Sequence, residues 1–120
     1  MIWTMSYDLA VWEAVPPFTG RADEAFELLA ERLEADDVDE PPTEAITEFV
    51  EALLAVWPEL GEDEDEGSPW ASGPLLGEAF GPCIYFAMTY SGADDAVPVI
   101  ARMAKERGLV CYDPQVEEAI

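Results

Sequence analysis

Apolar and polar side chains alternate near the start of the chain, within residues 5–13. The alternating positions are Tyr7, Leu9 and Val11 on one side and Asp8, Ala10 and Trp12 on the other. A period of two predicts a β-strand with two different faces. The Pro16-Pro17 pair ends this strand, because proline cannot donate to a strand ladder.

Two helices are predicted next, from apolar side chains spaced three and four residues apart. In the first helix, the apolar side is formed by Phe26, Leu29, Ala30 and Leu33. In the second helix, it is formed by Ile46, Phe49, Val50, Leu53, Leu54 and Trp57. Pro58 ends the second helix, because its ring excludes a helical continuation.

The second half of the chain predicts two strands that pair as a hairpin. Residues 70–76 contain Gly73 and Pro74, which favours a short edge strand. Residues 83–90 are dense in aromatic and branched side chains, which is typical of a central strand. The Gly81-Pro82 pair predicts the turn between these two strands.

A third helix and a last strand complete the predicted elements. If Asp95 is the N-cap of the helix, Pro98 falls at the third helical position, where no intrahelical N–H bond is lost. Gly108 ends this helix. Residues 109–112 form the last strand, which the Asp113-Pro114 pair stops.

The predicted order is strand, helix, helix, strand, strand, helix, strand. It predicts an α+β fold of the ferredoxin-like, split βαβ type with one extra helix in the first crossover. The sheet would be antiparallel-rich, with four strands in the order 4-1-3-2 and helices on one face. Residues 1–120 then form a single domain, with 1–4 as an N-terminal extension. Cys83 and Cys111 would lie about 9.6 Å apart, too far for a disulfide, so we predict both to be reduced and buried.

Composition adds a strong negative charge to this picture. Of 120 residues, 27 are Asp or Glu, 5 are Lys or Arg and none is His, which gives a formal net charge of −22. Such a charge repels phosphate, so neither nucleic acid nor an anionic membrane surface is an expected partner. Without histidine the chain lacks the usual general base and the commonest metal ligand, so we expect no metal and no cofactor.

The negative charge is concentrated in the first half of the chain. Residues 23–66 contain 18 acidic side chains and a single basic one, Arg32, whereas residues 67–120 contain seven acidic and three basic ones. An uninterrupted acidic run lies between Gly61 and Gly67. We interpret residues 61–67 as a flexible, solvated loop.

The first candidate site is an acidic cluster that would capture a basic protein through its negative potential. Its members are Asp36, Asp37, Asp39, Glu40, Glu62, Asp63, Glu64, Asp65 and Glu66. They form one patch if the two loops lie at the same end of the second helix. Two alternatives stay open: a surface that only keeps the protein soluble or adapts it to salt, and weak binding of a divalent cation.

The second candidate site is the sheet face opposite the helices. Strand alternation places Trp12, Tyr85 and Thr89 on that face. Exposed aromatic side chains favour a contact with another protein or a platform for a small ligand. The alternative is that this face packs on residues 70–80 or on a second copy of the chain, as a homodimer.

The third candidate is acid–base catalysis. Asp8, Asp113 and Tyr112 would meet if the first and last strands pair, and two carboxylates beside a phenol can transfer protons. An Asp-Pro step after a strand is more typical of a turn. We therefore do not expect an enzyme.

Three segments of the chain resemble a known family. Residues 6–13 read SYDLAVWE, residues 68–70 read SPW and residues 108–115 read GLVCYDPQ. Together they resemble a family of small acidic proteins from high-GC actinobacteria. The resemblance covers residues 5–115 and implies one domain in a bacterial cytoplasm. Some similar small acidic proteins are immunity proteins that accompany secreted toxins.

Location and function follow from these observations as hypotheses. Residues 1–11 contain no basic segment, and the chain has no apolar stretch of 18 residues, so we expect a cytoplasmic protein without membrane contact. The leading hypothesis is a non-enzymatic domain that binds a basic protein, as an immunity- or inhibitor-type partner of a toxin or nuclease. The alternative is a small-ligand-binding or regulatory module that dimerises through the open sheet face.

Overall fold

The computed structural model describes residues 6–36, 39–57, 69–71 and 74–120. Within these ranges it contains three α-helices, five β-strands and one short 3₁₀ helix. In chain order the elements are β1 (Ser6–Glu13), α1 (Ala22–Glu34), α2 (Glu44–Val56), the 3₁₀ helix (Leu75–Glu78), β2 (Ala79–Phe80), β3 (Cys83–Thr89), α3 (Tyr90–Glu106), β4 (Leu109–Asp113) and β5 (Glu118–Ala119).

The strands form one antiparallel sheet in the order β2-β3-β1-β4-β5. β1 lies at the centre, with Trp12 opposite Cys83 of β3 and Val11 opposite Cys111 of β4. The α+β class is therefore as predicted. The described sheet has five strands rather than the expected four, because β5 pairs with the outer edge of β4. The ferredoxin-like assignment stays a prediction.

One face of the sheet is covered by α2 and α3. Leu9 and Val11 of β1 lie on this face together with Ile84 and Phe86 of β3. The buried helix side chains packed on them are Ile46, Phe49, Val50 and Leu53 from α2 and Ala93, Ala96, Ile100 and Ala104 from α3. This layer is the larger of the two apolar clusters in the described residues.

The opposite face of the sheet is covered by α1, so the expectation of helices on one face is wrong. Ala10 and Trp12 of β1 belong to a second buried cluster with Ala25 and Leu29 of α1. The physical reason is in β1, whose side chains are apolar on both faces from Leu9 to Trp12. A strand that is apolar on both sides needs cover on both sides.

α2 lies where the apolar spacing predicts. Its N-terminus is capped by Thr43, whose Oγ1 accepts a hydrogen bond from the backbone N–H of Ile46 at 3.3 Å. The predicted core positions Ile46, Phe49, Val50 and Leu53 are all buried. The apolar pattern therefore determined both the position and the buried side of this helix.

α3 begins at Tyr90, directly after β3, so the predicted N-cap at Asp95 is wrong. The cap is Thr89, whose Oγ1 accepts a hydrogen bond from the N–H of Gly92 at 3.0 Å. Pro98 therefore lies inside the helix, where it removes one backbone hydrogen bond. Because tyrosine and glycine are weak helix formers, helix propensity does not predict that α3 begins at Tyr90.

The expected edge strand at residues 70–76 is also wrong. Trp70 forms an isolated bridge to Met88 of β3, and the edge strand is β2, which follows the 3₁₀ helix. Trp70 is fully buried, and its Nε1 donates a hydrogen bond to the carbonyl oxygen of Trp57 at 3.0 Å. The predicted turn before β3 is present, with Gly81 at a φ of +54°.

Both cysteines are free and buried, as predicted. Cys83 lies on the α1 side of the sheet and Cys111 on the side of α2 and α3. Burial raises the pKa of each thiol to about 12. At neutral pH both cysteines are therefore poor nucleophiles.

Candidate protein-binding surface

The outer side of α1 is acidic along its length. Ala25 and Leu29 form the buried side of this helix, and the helical period places the acidic residues away from them. We call these residues the α1 acidic face; its members, all exposed, are Asp23, Glu24, Glu27, Glu31 and Glu34. By covering the sheet, α1 replaces an apolar face with a charged outer surface.

The predicted acidic cluster falls only in part on described residues. Asp36, Asp39 and Glu40 are exposed and lie in the connection between α1 and α2. The remaining members, Asp37, Glu62, Asp63, Glu64, Asp65 and Glu66, lie outside the described residues. A single patch formed by both loops therefore stays a prediction.

Arg32 is the single basic residue within residues 23–66. Its guanidinium group contacts two side chains of the same protein. Its Nη1 lies 3.4 Å from Oε1 of Glu40. Its guanidinium carbon lies 5.6 Å from the centre of the Phe18 ring, a cation–π contact. Because Arg32 is already engaged by these two residues, the surrounding carboxylates set the outward potential.

A cleft of about 330 Å³ lies beside Arg32, at the end of β1. Its lining includes Glu13, Phe18, Glu40 and Thr43. The hydroxyl of Thr43 donates a hydrogen bond to the carboxylate of Glu13, and Arg32 pairs with Glu40. The polar groups of this cleft are thus paired with each other.

A second cleft, of about 360 Å³, lies between α1 and the turn that joins β4 to β5. We call it the α1–β4 cleft. It is lined by the rings of Phe26 and Tyr112, whose centres are 4.7 Å apart with planes inclined at 22°. Asp23, Glu27 and Glu117 add three carboxylates to the lining. Burial, followed by the charges of these carboxylates, raises the pKa of Tyr112.

The predicted platform on the open sheet face is wrong, because α1 covers that face. Trp12 is only 1% exposed. Tyr85 is half-buried, and its hydroxyl donates a hydrogen bond to Oδ2 of Asp8 at 2.8 Å. Thr89 is exposed, but it serves as the N-cap of α3. These residues present no common surface to a ligand or to a second copy of the chain.

Gln115 links the Asp113 carboxylate of the candidate acid–base site to the backbone of Asp8, and not to the Asp8 carboxylate. Its Nε2 donates hydrogen bonds to the carbonyl oxygen of Asp8 at 2.8 Å and to Oδ1 of Asp113 at 2.5 Å. The hydroxyl of Tyr7 donates to the other carboxylate oxygen of Asp113. Tyr112 lies apart from this network, in the cluster beneath α1. The network joins the first strand to the end of β4, which is a structural role.

The described residues contain neither a metal site nor a membrane-spanning helix. Among the described residues, no three His, Cys, Asp or Glu side chains lie close enough together to hold a metal ion. Within the same ranges, every helix is too short or too polar to cross a bilayer.

Comparisons with protein-family models, with curated proteins and with solved structures find no match to this chain. The resemblance to small acidic actinobacterial proteins therefore stays a prediction.

Sequence reasoning missed the α1–β4 cleft. A local signal was present, because Asp23 and Glu27 are four residues apart on α1 and bracket Phe26. The other half of the cleft was not visible, because the sequence predicts that the last strand ends at Tyr112 and that no strand follows it. The turn carrying Glu117, and the hairpin that it forms, come from the pairing of β5 with β4.

Proposed function

We propose that this chain is a non-enzymatic domain that binds a basic protein, as an immunity- or inhibitor-type partner of a toxin or nuclease in a bacterial cytoplasm. The observation that carries the proposal is the α1 acidic face. It presents a row of exposed carboxylates on a helix whose buried side packs on the sheet. A row of like charges is suited to a partner with a complementary basic surface.

The electrostatics of α1 support this proposal. A 13-residue helix is about 20 Å long, which is the scale of one side of a small protein interface. The basic side chains near it are Arg32, paired with Glu40, and Arg21, whose Nη2 lies 3.2 Å from Oδ2 of Asp23. The negative potential left over would raise the association rate of a cationic partner by roughly 10- to 1,000-fold.

Exposed apolar side chains beside the charges favour a protein over a small ion as the partner. Leu28 and Leu33 of α1 and Val15, in the loop after β1, are each more than one third exposed. Protein interfaces combine apolar contact with a polar rim.

We propose in addition that the fold is a variant of the ferredoxin-like fold. β3 and β4 are both antiparallel to β1 and lie on either side of it, and α3 connects them. This is the connectivity of a split βαβ unit. Together with the resemblance to small acidic actinobacterial proteins, it supports a ferredoxin-like variant as the scaffold of the binding surface.

The experiment is a pull-down with the product of the neighbouring gene, at about 50 mM and about 500 mM salt. A variant of the α1 acidic face carries Glu27→Gln, Glu31→Gln and Glu34→Gln. A matched control carries Glu48→Gln, Glu51→Gln and Glu106→Gln, which remove the same charge from exposed positions of α2 and α3. We expect binding that weakens at high salt and a loss of affinity of about tenfold or more in the first variant only.

Binding that resists salt, or that falls equally in both variants, would contradict a specific role for the α1 acidic face. The same applies if the neighbouring product does not bind at low salt. Circular dichroism of both variants checks that the fold is intact, so that a lost interaction is not the result of unfolding.

A further inference from the structure

An open groove lies between α1 and the loop that follows β1. Its volume is about 300 Å³, and four of its six lining residues are apolar: Pro17, Phe18, Leu28 and Ala35. Phe18 is buried, whereas Pro17, Leu28 and Ala35 are exposed. The groove therefore presents apolar surface to solvent. We call it the α1–Pro17 groove.

The α1–Pro17 groove adjoins the 330 Å³ cleft at the end of β1. Pro17, Phe18 and Arg32 line both cavities. The cleft adds Val15, which is 38% exposed. Exposed apolar surface that is contiguous and rimmed by polar residues is typical of a site where another protein docks.

The polar groups along this surface are largely paired within the protein. The guanidinium group of Arg32 lies over the Phe18 ring and pairs with Glu40. The hydroxyl of Thr43 donates to the carboxylate of Glu13. A small polar ligand needs polar groups that orient it, so the surface is better suited to an apolar side chain.

Two members of the α1 acidic face flank the groove. Glu24 lies four residues before Leu28 and Glu31 three residues after it, spacings that place side chains on the same side of a helix. Glu31 also lines the groove. An apolar surface between two negative charges is complementary to an apolar side chain that has basic neighbours.

A second copy of this chain is a less suitable occupant. A two-fold contact uses the same surface on both subunits, so Glu24 and Glu31 would meet the same carboxylates of the other copy. Each chain has a formal net charge of −22. Repulsion between like charges opposes such a contact.

We propose that the α1–Pro17 groove is the docking site for one large apolar side chain of a basic protein, flanked in that protein by lysine or arginine. Leu28, Pro17 and Ala35 contact the apolar side chain, and Glu24 and Glu31 attract its basic neighbours. The identity of the partner rests on the proposed function, whereas the preference for an apolar side chain between positive charges rests on the groove itself.

The test is an NMR titration of the ¹⁵N-labelled protein at about 50 mM salt with two peptides. The probe is acetyl-Lys-Lys-Leu-Lys-Lys-amide. The control peptide has serine in place of leucine and carries the same charge. We expect saturable shifts confined to residues 15–18 and 24–35, with the leucine peptide binding about fivefold or more tightly than the serine peptide.

α1 offers a matched pair of variants. Leu28 lines the groove and is 37% exposed, whereas Leu33 is 36% exposed and is not part of the lining. Leu28→Ala should bind the leucine peptide about three- to tenfold more weakly and the serine peptide within about twofold of the parent. Leu33→Ala should stay within about twofold for both peptides. Alanine favours the helix, and circular dichroism checks that both variants are folded.

A second pair of variants tests the charges. Glu24→Gln with Glu31→Gln should weaken both peptides about threefold and leave the preference for leucine. Glu48→Gln with Glu51→Gln, which removes the same charge from the exposed side of α2, should weaken them less.

Three results would overturn the inference. The first is equal affinity for the leucine and serine peptides, and the second is an equal loss in Leu28→Ala and Leu33→Ala. The third is a dimer of the free protein, seen by analytical ultracentrifugation, that Leu28→Ala dissociates, because a second copy would then be the occupant. We expect the free protein to sediment as a monomer.

This inference and the proposed function fail separately. If the basic partner is captured but the peptides show no preference for leucine, the groove is wrong and the proposed function stands. If the leucine peptide binds at the groove but no basic partner is captured, the groove stands and the proposed function is wrong.

Discussion

Asp113 shows, at the scale of single residues, how a very acidic protein keeps a carboxylate inside. Its side chain is buried, at 3% exposure. One oxygen accepts from the hydroxyl of Tyr7, and the other accepts from the backbone N–H of Gln115 at 2.9 Å and from its side-chain Nε2 at 2.5 Å. A buried charge is tolerated when its lone pairs are satisfied in this way.

Replacing Tyr7 by phenylalanine removes one of these donors and little else. We expect Tyr7→Phe to lower the free energy of unfolding at pH 7 by about 1–3 kcal/mol, because the Asp113 carboxylate stays buried with one partner fewer. Urea denaturation measures the change. The control is Tyr90→Phe: Tyr90 is 51% exposed, and its ring meets that of Tyr7 edge-on. Equal losses in the two variants would contradict a special role for the Tyr7 hydroxyl.

The same variant has an expected pH signature. The hydrogen bond to Asp113, followed by burial, raises the pKa of Tyr7 from 10.0 to about 12. Because the folded protein holds this proton more tightly than the unfolded chain, stability falls as the pH rises from about 10 to about 12. Tyr7→Phe should lose less stability over this range than the parent.

At the scale of elements, the sequence predicted the position of α2 but not the face of the sheet that α1 covers. α2 was predictable because its apolar side chains are confined to one side and Thr43 provides a cap. The side of the sheet that α1 covers was not, because an amphipathic helix does not encode which face it will meet. The decisive signal was in the strand, where Ala10 and Trp12 on one face are apolar and so are Leu9 and Val11 on the other.

The chemical character of the candidate surface could be predicted from the sequence, but its position on the fold could not. The acidic residues of α1 are visible in the sequence, and their exposure follows from the helical period. The aromatic face predicted to lie open is the surface on which α1 packs, so the acidic helix and the aromatic residues share one side of the molecule. The α1–β4 cleft forms only because Tyr112 and Glu117, which are distant in sequence, pack beside α1.

The junction between β3 and α3 requires glycine at position 92, because a larger side chain would collide with its neighbours. A Cβ atom at Gly92 would lie 2.7 Å from Cα of Pro69 and 2.8 Å from Oγ1 of Thr89. We therefore expect Gly92→Ala to destabilise the protein by about 1–3 kcal/mol in urea denaturation, although alanine is the better helix former. The control is Gly77→Ala, since a Cβ there lies 3.7 Å from Cγ of Pro74, an ordinary contact. It should stay within about 0.5 kcal/mol of the parent, and a neutral Gly92→Ala would contradict the close approach of Pro69.

At the scale of the whole molecule, the net charge of −22 acts within a small volume. The described residues span 39 × 38 × 26 Å. At low salt the Debye length, about 30 Å at 0.01 M, is comparable with these dimensions, so carboxylates repel one another across the folded protein. The unfolded chain is more expanded and relieves part of this repulsion, which costs the folded state stability.

Salt should therefore stabilise the protein, and the α1 acidic face should account for a disproportionate share of the effect. We expect the free energy of unfolding to rise between about 0.01 M and 0.15 M NaCl, because the Debye length falls to about 8 Å and only neighbouring charges still interact. The Glu27→Gln, Glu31→Gln, Glu34→Gln variant should gain stability at low salt and show a weaker salt dependence than the variant with the same charge removed from α2 and α3. Urea denaturation at each salt concentration measures this, and KCl in place of NaCl controls for specific ion binding. Equal salt dependence in the two variants would mean that the total net charge of the protein, and not the local charge density on α1, determines the effect of salt. A basic partner would then have no electrostatic reason to prefer α1.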